Sequence, residues 1–341
     1  MLYLDPFFHQ FNQNNIHLDP DEFESFDHQA DIIAISFYNH YYDSYSDIIT
    51  KLLDKCNHLY VYMSEPTSDN VTFPEFLKRN DHEKITFFSD AVLNFELTRS
   101  KYYPVVCWFV DHTNYYADSV WGKNLLSQLT YNYDKSNKFD CLLGRSRPHR
   151  DLVNSLYLNS SVKEQIIYSY YGKDLKSGIW DHDFNPALKG HELTCERFKF
   201  NGEYIRISAM LPVDIYNTSY YSIVAETTAY NEYSQFTEKV AKPIVALRPF
   251  VAFCGQHYLK NLKRLGFQTF GDVIDETYDA VADAGQRFNL AWNQVEHLCQ
   301  EDPQQILEKL LPTLEYNKNH FLSTDWVKPA KDIGQQKSPP G

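Results

Sequence analysis

The chain has 341 residues, 43% of them hydrophobic, which is comfortable for two domains and excludes wholesale disorder. Its formal net charge of −13 argues against broad phosphate-backbone binding, which requires a basic surface, and leaves room for a local basic cleft. The six cysteines are widely spaced without a CxxC pair, so they read as reduced core thiols, not as a disulfide frame or a zinc site.

In chain order, Met1 to Phe11 lacks the basic region and clean apolar segment of a signal peptide. No apolar run approaches the ~20 residues that span a bilayer, so the expectation is a soluble cytoplasmic protein without a membrane span. Asp31–Tyr38 reads as a strand, and Tyr45–Cys56 has helical spacing at Ile48, Ile49, Leu52 and Leu53. Strands are expected at His58–Met63, Lys84–Ser89 and Tyr103–Val110, the last ending in Asp111 and His112, and a helix at about Trp121 to Asp134. The alternation implies βαβ units around a parallel sheet.

The pattern restarts with a strand at Phe139–Gly144, a helix after Pro148 and a strand at Ile166–Tyr171. From Gly172 to Pro212 it turns irregular, with a hairpin around Phe198–Ile207. Strands Tyr221–Glu226 and Pro249–Phe253 flank a helix Glu238–Leu247. Helices then run Tyr258–Leu265, ended by a left-handed Gly266, then Asp283–Cys299 and Pro303–Asn317, before a flexible polar tail. The fold class expected is α/β, with two Rossmann-like domains facing a cleft. The first spans residues 1–138 and the second residues 139–325, with residues 326–341 as the tail.

Two stretches carry chemistry. Gly144-Arg145-Ser146-Arg147-Pro148-His149-Arg150 follows a strand and opens a helix, where the helix dipole and the guanidinium groups favour an anion. The bland alternative is a solvated basic turn. The second stretch delivers Glu226 at a strand end and Thr237-Glu238-Lys239 at a helix start. Ordinary capping would explain each of these alone. In an open α/β sheet, however, ligands bind beyond the carboxyl ends of strands, where helix N-termini collect phosphate. Neither G-x-G-x-x-G, a P-loop nor G-x-S-x-G is present, which removes support for dehydrogenase, ATPase and serine hydrolase chemistry. Asp181-His182-Asp183 has a metal-binding spacing but reads as a loop turn, so no metal site is assigned.

The order of Arg cluster, Glu226, Thr-Glu-Lys and apolar strand resembles the donor-binding segment of GT-B glycosyltransferases, most closely the α-1,3-fucosyltransferase type. The Arg-x-Arg-Pro-His-Arg string, with Leu265–Phe270 and Asp275–Asp279, is similar to phage-encoded glycosyltransferase-like proteins. The resemblance covers roughly residues 139–280. It implies metal-independent transfer of a sugar from a nucleotide diphosphate sugar, UDP- or GDP-linked, to a hydroxyl acceptor. That acceptor is a glycan or a hydroxymethylated base of phage DNA. Arg145, Arg147, His149, Arg150, Glu226, Thr237, Glu238 and Lys239 would bind the donor, with the carboxylate on ribose hydroxyls. Glu65, Asp111 and His112 are the candidates for the base that takes the acceptor proton. Asp275 and Glu276 read as structural. A different class stays open, a non-catalytic carbohydrate-binding or virion-associated protein that keeps the fold.

Overall fold

The computed structural model describes residues 15–18, 28–38, 42–64, 72–172, 197–200, 203–206 and 210–336. In chain order the elements begin β1 (Asn15–Leu18), β2 (Ala30–Tyr38), α1 (Tyr42–Leu53), β3 (Cys56–Ser64), α2 (Phe73–Arg79), β4 (Ile85–Ser89), β5 (Ala91–Leu93), β6 (Lys101–Pro104), α3 (Cys107–Thr113) and α4 (Val120–Ser127). They continue with β7 (Asn137–Arg145), α5 (Pro148–Asn159), β8 (Ile166–Gly172), β9 (Arg197–Phe200), β10 (Glu203–Arg206), α6 (Val213–Thr218), β11 (Ser219–Val224) and β12 (Tyr233–Gln235). The last are α7 (Glu238–Val245), β13 (Phe250–Ala252), α8 (Tyr258–Arg264), α9 (Ala284–Gln300), α10 (Pro303–Ser323) and α11 (Lys328–Gln336).

The protein is α/β and built on parallel sheets. The chain divides into two compact units, Met1–Val110 with Asp325–Gly341, and Asp111–Thr324. The division therefore falls after Val110, not after residue 138, and the C-terminal segment joins the first unit. Among the described residues, no helix is long and apolar enough to cross a membrane.

The first unit holds a parallel sheet in the order β1-β2-β3-β4-β6. β4 is buried along its whole length and flanked by buried residues of β3, as a two-sided parallel sheet requires. The expected flexible tail is instead a helix over 328–336. Ala330 is fully buried in a cluster with Ile32, Tyr60, Phe88 and Val105, and the Trp326 ring meets Phe109 at 5.0 Å. Polar composition hid one apolar stripe that the sheet covers.

The run Tyr103–Val110 also departs from expectation. Its strand ends at Pro104, and residues 107–113 form a helix. A short apolar run fits a buried helix as well as a buried strand, so periodicity could not separate them. Asp111 and His112 thus lie on a helix and belong to the second unit. The hairpin around Phe198–Ile207 is present as antiparallel β9 and β10, whereas Asp181, His182 and Asp183 lie outside the described residues. Gly266 has φ +94°, the left-handed helix ending expected of it.

The second unit's sheet runs β13-β11-β7-β8, all parallel. From β7 the chain moves to β8 on one side, and β11 and β13 are then added on the other, so strand order reverses between β7 and β11. At the amino ends of these strands a buried network ties the sheet together. Arg248, just before β13, pairs with Asp140 of β7 at 2.5 Å and donates to Ser219 and Ser222 of β11. Cys56, Cys141, Cys254 and Cys299 are free and buried, as core thiols should be.

Candidate functional site

The carboxyl ends of β7 and β11 are where the strand order reverses, the place where open α/β sheets leave a crevice for ligands. β7 leads into the turn 144–147 and then α5, whose N-cap Arg147 supplies no side-chain cap. β11 leads to Glu226, which is 0% exposed. The two turns are joined directly. His149 Nε2 donates to the Glu226 carbonyl at 2.8 Å, and Arg150 Nη2 donates to the same oxygen at 2.9 Å.

The Glu226 carboxylate is taken up entirely inside the protein. Its Oε1 accepts from Thr237 N at 3.0 Å and from the Tyr258 hydroxyl at 3.0 Å. Its Oε2 accepts from Thr237 Oγ1 at 2.5 Å and from Thr227 N at 3.2 Å. Burial raises its pKa, partly offset by the nearby Lys239 and by the Thr237 hydrogen bonds. With two donors on each oxygen, no lone pair is directed outward for a ribose hydroxyl. Glu226 fixes the start of α7 to the end of β11.

Thr237 caps α7, accepting from Lys239 N at 3.4 Å. Lys239 Nζ ties the start of α7 to the turn after β11, reaching Thr227 Oγ1 at 3.1 Å and Glu238 Oε1 at 2.5 Å. Burial would raise the Glu238 carboxyl, but Lys239 and Lys242 outweigh it and hold it at about 2, so it is ionised at neutral pH. Lys242 follows one turn later and was not singled out in the sequence, although its i,i+4 spacing from Glu238 was visible. Burial lowers its amine to about 8, against the pull of Glu238.

Burial also pushes His149 down to about 4, so at neutral pH it is an uncharged imidazole. Its Nε2–H is committed to a carbonyl and its Nδ1 can only accept, so it is not a cationic phosphate ligand. Arg150 is 5% exposed and packs over Gly144, where an added Cβ would lie 3.4 Å from its guanidinium. Arg147 is half-buried, and its charge reaches both His149 and Arg150. The turn itself is braced by Asp151, which accepts from Ser146 Oγ at 2.9 Å and from the Tyr170 hydroxyl of β8. For Arg145 only the backbone, the last residue of β7, is described.

The loop after Glu226 packs onto the end of β13. A Cβ on Gly255 would fall 1.8 Å from the Tyr230 carbonyl oxygen, so this approach requires glycine. Asp275 and Glu276 are structural as expected. Asp275 caps Thr277 N, and Glu276 accepts from Thr269 Oγ1 and Phe270 N.

The candidates for a base fare differently. Glu65 lies outside the described residues. His112 is 2% exposed and close enough for its charge to lower the Glu238 pKa, whereas Asp111 is half-buried. The structure thus gathers His149, Arg150, Glu226, Thr237, Glu238 and Lys239 at one point, with Arg147 and His112 within electrostatic range.

No protein-family model matches this chain, and no curated protein matches it in sequence.

Proposed function

We propose that the second unit binds the diphosphate of a nucleotide sugar at the reversal point between β7 and β11, and that the protein is a GT-B-type glycosyltransferase. One observation carries this reading: Arg150 donates to the Glu226 carbonyl, and Lys239, 89 residues further along the chain, bonds the adjacent Thr227 and lowers the Glu226 carboxyl pKa, all at the carboxyl edge of the sheet. Arg147 and Arg150 on one turn and Lys239 and Lys242 on α7 outnumber Glu226, Glu238 and Asp151, in a chain whose net charge is −13. Guanidinium and ammonium donors of this kind suit the oxygens of an anionic diphosphate.

In this reading Arg147 and Lys239 touch phosphate oxygens, and the open N-terminus of α5 adds its dipole. Arg150, His149, Glu226 and Thr237 hold the two turns in register. The acceptor oxygen attacks the anomeric carbon while the bond from that carbon to the diphosphate oxygen breaks. The departing diphosphate is neutralised by the cations, and the acceptor proton passes to a base, for which Asp111 and His112 are the candidates within this unit. The fucosyltransferase-like resemblance and acceptor binding by the N-terminal unit belong to the same proposal.

The full chain is titrated calorimetrically with UDP and GDP. One of the two should bind, and Arg147→Ala and Lys239→Met should each weaken it by more than about 1 kcal/mol, the scale of a lost charge-assisted contact. Absence of binding by either nucleotide, or variants that bind like the parent, would remove the site. Both carboxylates of the described site are engaged internally, which favours a second reading, a nucleotide-sugar-binding protein without turnover. Release of free sugar or transfer to an acceptor separates the two readings.

A further inference from the structure

A recess lies at the amino edge of the second unit's sheet, away from Glu226. β11 runs from Ser219 at that edge to Val224 near Glu226, about 20 Å of strand, so the two places are separate. The recess has about 60 Å³ of internal space. That is room for a few water-sized groups and less than half of the ~150 Å³ that encloses a benzene ring, so a ring would seat only in part and rest on the rim. Its inner walls are the buried Tyr216, Tyr220 and Leu314, and Leu247, which holds a left-handed φ of 53°. Its rim carries Tyr131 at 55% exposure, with Tyr133 and Leu311 at 44% each. Large apolar side chains left in water around one small hollow mark a binding surface more than scattered exposure does.

The floor is positively charged. Arg248 and Lys135 both line the hollow, and Asp140 is the acid that faces them. Arg248 takes that carboxylate at 2.5 Å and packs over the Tyr216 ring at 4.3 Å. Lys135 Nζ donates to the carbonyls of Tyr216 at 2.7 Å and Ser219 at 3.2 Å. No carboxylate within the described residues pairs with this ammonium, which also lies over the Tyr220 ring at 5.9 Å; burial and then Arg248 lower it to about 8, against the pull of Asp140, so it is still mostly charged at neutral pH. The strap that carries the rim tyrosines is pinned at both ends. Thr130 N donates to Asn217 Oδ1 at 2.8 Å, and the Tyr220 hydroxyl donates to the Tyr133 carbonyl at 2.5 Å. The hollow is therefore formed before any ligand arrives.

We propose that this recess is a binding site for a small monoanion with a flat or branched apolar body, an aryl or short alkyl carboxylate. The body lies between Tyr131, Tyr133 and the Leu307/Leu311 stripe of α10, and the carboxylate meets Lys135. This assignment is independent of the nucleotide reading, because it shares none of that site's residues.

The probes are phenylacetate, its cationic counterpart benzylamine and neutral 2-phenylethanol, titrated against the full chain by ligand-detected NMR. Phenylacetate should bind at least about tenfold more tightly than benzylamine, with the alcohol between them. Tyr131→Ala and Leu311→Glu alter exposed rim positions that the fold does not need, and each should weaken phenylacetate by about tenfold or more. No binding of phenylacetate at millimolar concentration, equal binding of acid and amine, or rim variants that bind like the parent would each overturn the assignment.

Discussion

At the scale of single residues, two neighbouring carboxyl groups have opposite pH signatures. Glu238 is held at about 2 in the folded protein, against 4.5 for an ordinary glutamate. Its contribution is therefore present above pH 4.5 and is lost as pH falls towards 2. Glu226 has a raised pKa, so its contribution has the other sign and weakens as pH rises through the folded value. Glu238→Gln should be less stable than the parent at pH 7 by on the order of 2 kcal/mol, and the gap should close across pH 4.5 to 2. Denaturant unfolding at several pH values measures it, and a gap independent of pH would assign no role to the Lys239 pair. Glu226→Gln tests the internal role of the other acid. An amide oxygen can replace only part of the carboxylate's acceptor capacity, so about 1–3 kcal/mol of stability should go with the lost bonds. Sequence showed where the charge of Glu226 stands in the chain but not its burial, and for that reason ribose binding was the natural expectation. The Tyr258 hydroxyl that occupies it comes from another element, 32 residues away.

At the scale of elements, local chemistry was legible and long-range order was not. The Thr237 cap, the strand ahead of Glu226 and the Gly266 helix ending follow from side chains within a few residues of each other. The order β13-β11-β7-β8 depends on pairings across long loops, and no local pattern encodes it. The network at the amino ends of these strands was equally hidden, because Asp140 and Arg248 are 108 residues apart and each looks like a surface charge in isolation. Both are nearly fully buried, and Arg248 also bonds Ser219, Ser222 and the Tyr216 and Tyr221 carbonyls. Arg248→Leu leaves Asp140 as an uncompensated buried charge and strips several acceptors of their donor. A loss of about 3–5 kcal/mol is expected. Replacing both partners, Asp140→Asn with Arg248→Leu, should recover part of that loss, and a double variant as unstable as the sum of the singles would show the pair to be uncoupled.

At the scale of the whole molecule, charge decides between the two acceptors that the resemblance implies. A protein that reaches a base in duplex DNA must first hold the backbone, and affinity from that source rises with the number of lysine and arginine contacts. The chain has 45 acidic against 32 basic side chains, and four of the latter, Arg147, Arg150, Lys239 and Lys242, are the cations of the proposed diphosphate site. A diphosphate there neutralises those cations, so donor binding would leave the surroundings of the acceptor more negative. Duplex DNA with hydroxymethylated cytosine should therefore not be retarded by the protein at physiological salt, with or without UDP or GDP, whereas a neutral glycan acceptor carries no such electrostatic penalty. Retardation that weakens steeply as salt is raised would reverse this choice and point to a basic track on the first unit.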